Sequence, residues 1–293
     1  MKKTKLALLM AFVTTFLLSA CSNTSHDSEK TSSTTPNTTV AKLVDMTSSR
    51  RPLVFSHRGT IHDNPEHSFA GYNQAIKDGS SFIEQDVVLS KDGYLFVSHD
   101  DDLYRTTGRH ITISSSNLKT LDKVRLRNGE HLHQLKDVFS KYKFRVHYII
   151  EAKSDGNNQK TERALAKAIF QAHMTKNVIV QDLHVKGSEV LHSAKGMKQV
   201  PILQLLANDT EAKLIEQIKA LPEYITFVST SMNVFTPKIN QTIHDRGFLS
   251  DVFTIDEYSD NYLVFNQKPD SVFTNETKTT LQFLKKNNMT VAK

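Results

Sequence analysis

Glu84 and Asp86 stand two residues apart in "SFIEQDVVL" (81–89), and Glu151 and Lys153 two apart at the end of "VHYIIEAK" (146–153). Side chains at that spacing share one face of an extended strand. The first pair therefore presents two carboxylates together, and the second a carboxylate with an ammonium. His57 ends the run "LVFSH" (53–57) and is followed by Arg58, while His99 ends "YLFVSH" (94–99). A buried carboxylate without a partner costs several kcal/mol. Three of them close together repel and are driven toward protonation. A hard divalent cation, Ca²⁺ or Mg²⁺, resolves that conflict, because both take oxygen ligands and keep positions open for water or substrate. An all-carboxylate set suits Zn²⁺ poorly, since zinc prefers nitrogen and sulfur. Ion pairing to Arg58 and Lys153 alone would explain one strand acid. It explains less well three acids, two histidines and two cations on neighbouring strand ends.

These groups need strands that end together. Short apolar runs recur along the chain: the four just named, then "NVIVQD" (177–182), "VPILQLL" (200–206), "YITFVST" (224–230), "SDVFTID" (250–256) and "DSVFTN" (270–275). Helical patterns lie between most of them. "PEHSFAGYNQAIKDG" has Pro65 and Glu66 where a helix would start and Gly79 where it would stop. "NQKTERALAKAIFQAH", "TEAKLIEQIKAL" and "NETKTTLQFLKKNN" carry apolar residues at helical spacing. Alternating strands and helices imply a parallel sheet with right-handed crossovers. The runs number nine, but Lys91-Asp92-Gly93 folds Ser81–His99 into a hairpin. Counting that hairpin as one strand with an excursion leaves eight. The expectation is a (β/α)8 TIM barrel over residues 43–293, with a small polar insertion after the second strand at about 101–134. In such a barrel the C-terminal strand ends form the catalytic face.

The stretch from Phe55 to Gly108, "HRGTIHDNPEHSFAGYNQAIKDGSSFIEQDVVLSKDGYLFVSHDDDLYRTTG" at its heart, resembles the signature of the glycerophosphodiester phosphodiesterase family, and "IIEAK" resembles its later Glu-x-Lys strand. The resemblance implies a barrel with a small insertion and metal-dependent hydrolysis of glycerophosphodiesters to an alcohol and glycerol 3-phosphate. It implies metal ligation by Glu84, Asp86 and Glu151, acid–base catalysis by His57 and His99, and phosphate contact by Arg58 and Lys153. It also implies attack by a neighbouring glycerol hydroxyl, giving a cyclic phosphate that water opens. Which of His57 and His99 is base and which is acid stays open in the sequence; the reading leans to His57 as base and His99 as acid. His67 stands where the family usually has Asn, Asn275 where it has Asp, and Phe253 where Trp is common. These departures bear on substrate shape rather than on chemistry.

The N-terminus reads as a processing signal. Lys2, Lys3 and Lys5 precede the apolar "LALLMAFVTTFLL", which is too short and poorly flanked for a stable span. "LSAC" (18–21) resembles the lipobox of bacterial lipoproteins and makes Cys21, the only cysteine, the expected lipidation site. Residues 1–20 would be removed, and Ser/Thr-rich residues 21–42 would form a flexible tether to the cell membrane on its extracytoplasmic face. The leader carries three lysines and no acid, so the formal charge falls from +6 to +3. That charge does not argue for nucleic acid, no protein partner is indicated, and a lone cysteine excludes an internal disulfide.

Other histidines carry weaker signals. "HLH" (131–133) has same-face spacing but reads as a solvated pair. His62 and His67 lie in the first strand-to-helix loop region as candidates to line the pocket mouth, the alternative for His67 being a surface or helix-start residue, and His184 follows the "VIVQD" run as a lesser candidate for the site. Phe69, Tyr72 and Ile76 at helical spacing read as core. Two other functions keep the same residues: a phospholipase acting on lysophospholipid or phosphatidylinositol headgroups, and a lipoprotein that binds phosphodiesters without cutting them. An apolar loop at the barrel mouth would favour the first, and none is evident in the sequence. The unbroken β/α pattern argues against the second, which is usually two-lobed.

Overall fold

The computed structural model describes residues 39–154 and 156–292; Cys21 and the rest of residues 1–38 lie outside the described residues. Among the described residues nine strands form one sheet: β1 (Leu53–Ser56), β2 (Phe82–Leu89), β3 (Leu95–Val97), β4 (His147–Ala152), β5 (Val178–Asp182), β6 (Ile202–Leu205), β7 (Phe227–Ser231), β8 (Leu249–Ile255) and β9 (Ser271–Thr274). Every neighbouring pair is parallel except β2–β3, and β1 pairs with both β2 and β9. The sheet therefore closes on itself as an eight-stranded barrel, with β3 as an antiparallel flap on β2. The hairpin excursion expected at residues 91–93 is this flap.

Crossover helices α2 (Phe69–Lys77), α5 (Leu135–Tyr142), α6 (Lys160–Gln171), α7 (Val185–Ser193), α8 (Glu211–Ala220), α9 (Pro237–Asp245), α10 (Tyr258–Phe265) and α11 (Thr277–Lys286) surround the barrel. No helix among the described residues is long and apolar enough to cross a membrane. Inside the barrel, Phe55, Phe82, Ile149, Ile179, Leu203 and Phe227 pack as one cluster, as alternate residues of buried strands must. A short helix, α1 (Val40–Asp45), closes the N-terminal end. Its Val40 and Leu43 are buried in the same cluster, and the Val40 N–H donates to the Lys176 carbonyl (3.0 Å). Burying each such side chain contributes about 2 kcal/mol. The boundary expected at residue 42 thus falls inside a packed helix; composition does not reveal that two apolar residues suffice to seat it.

Two further departures matter for the site. Helix α2 starts at Phe69 rather than at Pro65–Glu66, because Ser68 is its N-cap and accepts the Gly71 N–H (3.0 Å). Glu66 and His67 are left in the preceding loop. The insertion, with its single turns α3 (Tyr104–Thr107) and α4 (Leu118–Leu121), is not merely polar. Leu103, Ile113, Leu121 and Leu126 bury against Val88 and Phe96 as a small separate core. Glu130 then docks it onto α2, accepting the N–H groups of Phe69 (2.7 Å) and Ala70 (3.0 Å).

Candidate active site

At the C-terminal ends of the strands lies a cleft of about 210 Å³. His57, Arg58, His99, Glu151, Lys153 and Gln181 line one side of it. Leu183, Leu205, Leu206, Ala207, Phe253 and Phe273 line the other. The apolar side was not anticipated: its leucines stand at the ends of β5 and β6, where they read as ordinary strand residues.

The turn after β1 sets the polar side. Arg58 and Gly59 take φ of 54° and 89°, a left-handed pair in which a glycine is favoured. A Cβ at Gly59 would come within 2.9 Å of the Gly71 backbone. The turn aims the Arg58 N–H at Glu84 Oε2 (2.8 Å). The Arg58 side chain reaches Glu66 Oε2 (3.1 Å) and lies 3.4 Å from Asp86 Oδ2. Its Nε–H also donates to His57 Nε2 (3.2 Å). That bond makes Nε2 the acceptor, so His57 carries its proton on Nδ1 and donates it to Asn275 Oδ1 (2.7 Å). Burial first, and Arg58 second, push His57 down to about 4. It is a neutral imidazole at neutral pH, with its tautomer fixed.

His99 donates from Nδ1 to Asp100 Oδ1 (2.6 Å), and Arg105 holds the same carboxylate (2.6 Å). Burial lowers the His99 pKa although Asp86 and the Asp100 bond oppose it. Arg105 also grips Glu66 through both terminal guanidinium nitrogens. The insertion therefore braces the His99 loop and the Arg58 loop with one side chain.

Among the acids, the strand geometry brings Glu84 and Asp86 together as expected, both buried on the inner face of β2. His67 joins them, with Nε2 3.0 Å from Asp86 Oδ2 and Nδ1 2.9 Å from the Tyr72 hydroxyl. Ligand atoms of His67, Glu84 and Asp86 lie within 4.8 Å of one another. Glu151 is turned to Lys153 Nζ (2.7 Å) and to the Gln181 amide (3.0 Å), and so stands outside that trio. Lys153 bridges it to Asp86 (3.2 Å). Burial and the charge of Asp86 push Glu84 well above the usual carboxylate range. The same two causes push Glu151 up to about 7. Burial also acts upward on Asp86, but Lys153, His67 and Arg58 outweigh it and hold this carboxyl low. Two crowded acids held against repulsion, with an imidazole nitrogen beside them, fit a divalent cation.

The glycerophosphoryl diester phosphodiesterase family model matches residues 57–279 of the chain. The chain belongs to this family. Like other glycerophosphodiester phosphodiesterases, it is a phosphoric diester hydrolase. It is 26% identical over 251 residues to the glycerophosphodiester phosphodiesterase of Bacillus subtilis, covering 77% of this chain and 84% of that one. Among solved structures it resembles the Thermotoga maritima glycerophosphodiester phosphodiesterase at a TM-score of 0.65 and 22% identity, covering 80% of this chain and 98% of that one. It also resembles an Oleispira antarctica phosphodiesterase solved with its product sn-glycerol-3-phosphate, at a TM-score of 0.68 and 21% identity, covering 81% and 98%. These likenesses establish the barrel.

Within this phosphodiesterase, three roles differ from the sequence reading. Asn275 bonds the cleft imidazole of His57 rather than bearing on substrate shape alone. His67 is a buried neighbour of the acids rather than a residue of the mouth. His62 pairs with Glu276 (3.2 Å) away from the cleft lining. The "HLH" pair divides: His131 is exposed, while His133 is buried, stacks on Phe69 with ring centroids 3.6 Å apart, and bonds Glu130 (2.9 Å). His184 N-caps α7 and does not line the cleft.

Proposed function

We propose that this phosphodiesterase cleaves glycerophosphodiesters to an alcohol and glycerol 3-phosphate in a metal-dependent reaction at the cell surface, where a lipidated Cys21 would anchor it to the membrane. The observation that carries the reading is the pair of imidazoles, His57 and His99, sharing one cleft with Arg58 and Lys153. The product seen with the Oleispira antarctica relative is consistent with it.

Glu84 and Asp86 would hold the cation, with His67 completing the donor set; the weight of oxygen favours Ca²⁺ or Mg²⁺. When bound, the cation supplies charge that stabilises the phosphoryl oxygens. The chain's own groups do the rest. Arg58 and Lys153 bind the phosphodiester anion. Drawing the Arg58 guanidinium onto the phosphate frees His57 Nε2, whose lone pair then accepts the proton of the neighbouring glycerol hydroxyl as it attacks phosphorus; once the alcohol has left, one water opens the resulting cyclic phosphate to glycerol 3-phosphate. Asn275 keeps that nitrogen free by holding Nδ1–H. His99, steadied by Asp100, delivers a proton to the leaving alcohol.

The test is turnover of glycerophosphocholine and glycerophosphoglycerol before and after chelation. Loss on chelation, with recovery on adding Ca²⁺ or Mg²⁺, is the expected result. Full activity in chelator would reject the metal, and binding without cleavage would reject hydrolysis. A Cys21→Ser precursor is expected to leave the membrane fraction; its retention there would reject the lipid anchor.

A further inference from the structure

The pole of the barrel opposite the cleft carries a pattern of its own. There each helix turns back into the N-terminal end of the next strand. Lys77 ends α2, Lys143 follows α5, Lys176 follows α6, Lys198 follows α7, Lys268 follows α10, and Lys285 stands in the last turn of α11; all six are exposed. A lysine in a last turn, such as Lys77 or Lys285, answers the helix dipole, whose effect ends with that turn. Lys176, Lys198 and Lys268 lie beyond their helix ends, where the dipole gives no reason for a cation. Among the described residues the lysines that form ion pairs are Lys153, Lys213 and Lys238, so none of the six is held by a carboxylate. The acids at this pole, Asp45, Asp78, Glu223 and Asp245, are outnumbered.

Two further features share this pole. Thr39 lines a pocket with Thr175, Lys176, Gly196 and Gln199, between the turns that follow α6 and α7. The chain ahead of Thr39 therefore joins the body between Lys176 and Lys198. Phe144 stands between Lys143 and Arg145 and is 41% exposed. An aromatic ring flanked by cations suits a membrane interface, where the ring enters the headgroup layer and the cations stay with phosphate. The loops at the cleft pole mix their signs instead: exposed Asp63, Asp102, Asp256 and Glu257 stand with Arg109 and Lys186. Positive charge is thus gathered on the face where the N-terminal segment arrives.

We propose that this pole docks on a bilayer rich in anionic phospholipid, with the ring of lysines on the headgroup phosphates and the cleft facing away from the lipid. Each lysine close to such a surface is worth about fivefold in partitioning, the equivalent of ~1 kcal/mol. Six together give no more than a single acyl chain does, which is marginal and reversible binding. Salt at physiological strength screens them over about 8 Å, so only a face in contact feels the surface. Docking therefore orients the body rather than holding it, and needs neither turnover nor a lipid on Cys21. It presents the cleft to diesters on the far side of the body instead of to the lipids beneath it.

The experiment is co-sedimentation of the full chain carrying Cys21→Ser with vesicles of phosphatidylglycerol and phosphatidylcholine at low ionic strength. Two variants of that parent are compared with it. The first adds Lys143→Gln, Lys176→Gln, Lys198→Gln and Lys268→Gln at the docking pole. The second adds Lys119→Gln, Lys123→Gln, Lys213→Gln and Lys238→Gln, removing the same charge from exposed positions in the insertion and in the first turns of α8 and α9. The first variant should bind the anionic vesicles more weakly by roughly several hundred-fold, about fivefold for each lysine. The second should lose far less. Vesicles of phosphatidylcholine alone should hold all three proteins alike, and all three should turn over glycerophosphocholine at one rate. A parent that prefers anionic vesicles no more than neutral ones overturns the proposal without any variant. Equal losses in the two variants would reduce the effect to net charge and overturn the docking face, as would undiminished binding in the first. Binding of the parent to soluble polyphosphate but not to anionic vesicles would give the ring to a dissolved polyanion and overturn the membrane as its partner.

Discussion

The two sides of the barrel mouth are built from different materials. The side formed by β1, β2 and β4 carries His57, Arg58, Glu84, Asp86, Glu151 and Lys153, tied together by charged hydrogen bonds. The side formed by β5, β6, β8 and β9 presents Leu183, Leu205, Leu206, Phe253 and Phe273. The same fold supplies both, because barrel strands fix only where side chains point. The difference is that charged groups crowded in a buried place must be held by exact partners, whereas an apolar wall needs only shape. One side is therefore constrained residue by residue, and the other is free to set what fits beside the phosphate.

The sharpest way to break this division is His57→Ala. Turnover should fall by about 10²- to 10⁴-fold, the usual worth of a positioned acid–base group, with circular dichroism unchanged. Retained turnover would remove the polar side from the chemistry. The quieter side has a test of its own in Asp251, on the inner face of β8. Asp251 accepts hydrogen bonds from Ser229 and Ser271 (2.7 Å for Ser271), and burial pushes it up to about 7. The folded protein thus keeps a proton that the unfolded chain loses near 4, so stability falls as pH rises from there to about 7 and stays low above. The gap from 3.8 to about 7 corresponds to roughly 4 kcal/mol. Asp251→Asn should remove that dependence and stabilise the fold at pH above 7; parallel denaturation-versus-pH curves for the two proteins would contradict this.

A smaller effect is expected at Asn275. Asn275→Ala frees the His57 tautomer and should lower kcat by about 10- to 100-fold. Asn275→Asp should instead restore much of the rate and move the acidic limb of kcat/KM upward, because a carboxylate favours the imidazolium. An unmoved limb would show that the contact is structural only. Smallest of all, Glu130→Ala should cost about 1–3 kcal/mol of stability by uncapping α2 and loosening the insertion, read as a lower midpoint in urea. An unchanged midpoint would detach the insertion from the frame that supports Glu66 and Arg105.

Much of the polar side was legible because local spacing created it. Residues two apart on β2 and β4 must share a face, and the eight-strand count followed from recurring apolar runs once the Ser81–His99 hairpin was recognised. What escaped depends on closure or on loop conformation. Asn275 meets His57 only because β9 pairs with β1 across the barrel seam. His67 reaches Asp86 only because it adopts φ of 58° just before the Ser68 cap, where a regular helix start would carry it elsewhere. Arg105 was visible within "DLYRTT", but its two carboxylate partners come from separate loops.

The small helix α1 seals the pole of the barrel opposite the cleft, so the polypeptide enters the body from behind its working face. A bead or an electrode attached at Thr39, just ahead of that helix, would accordingly leave the opening pointing outward, unobstructed by the support.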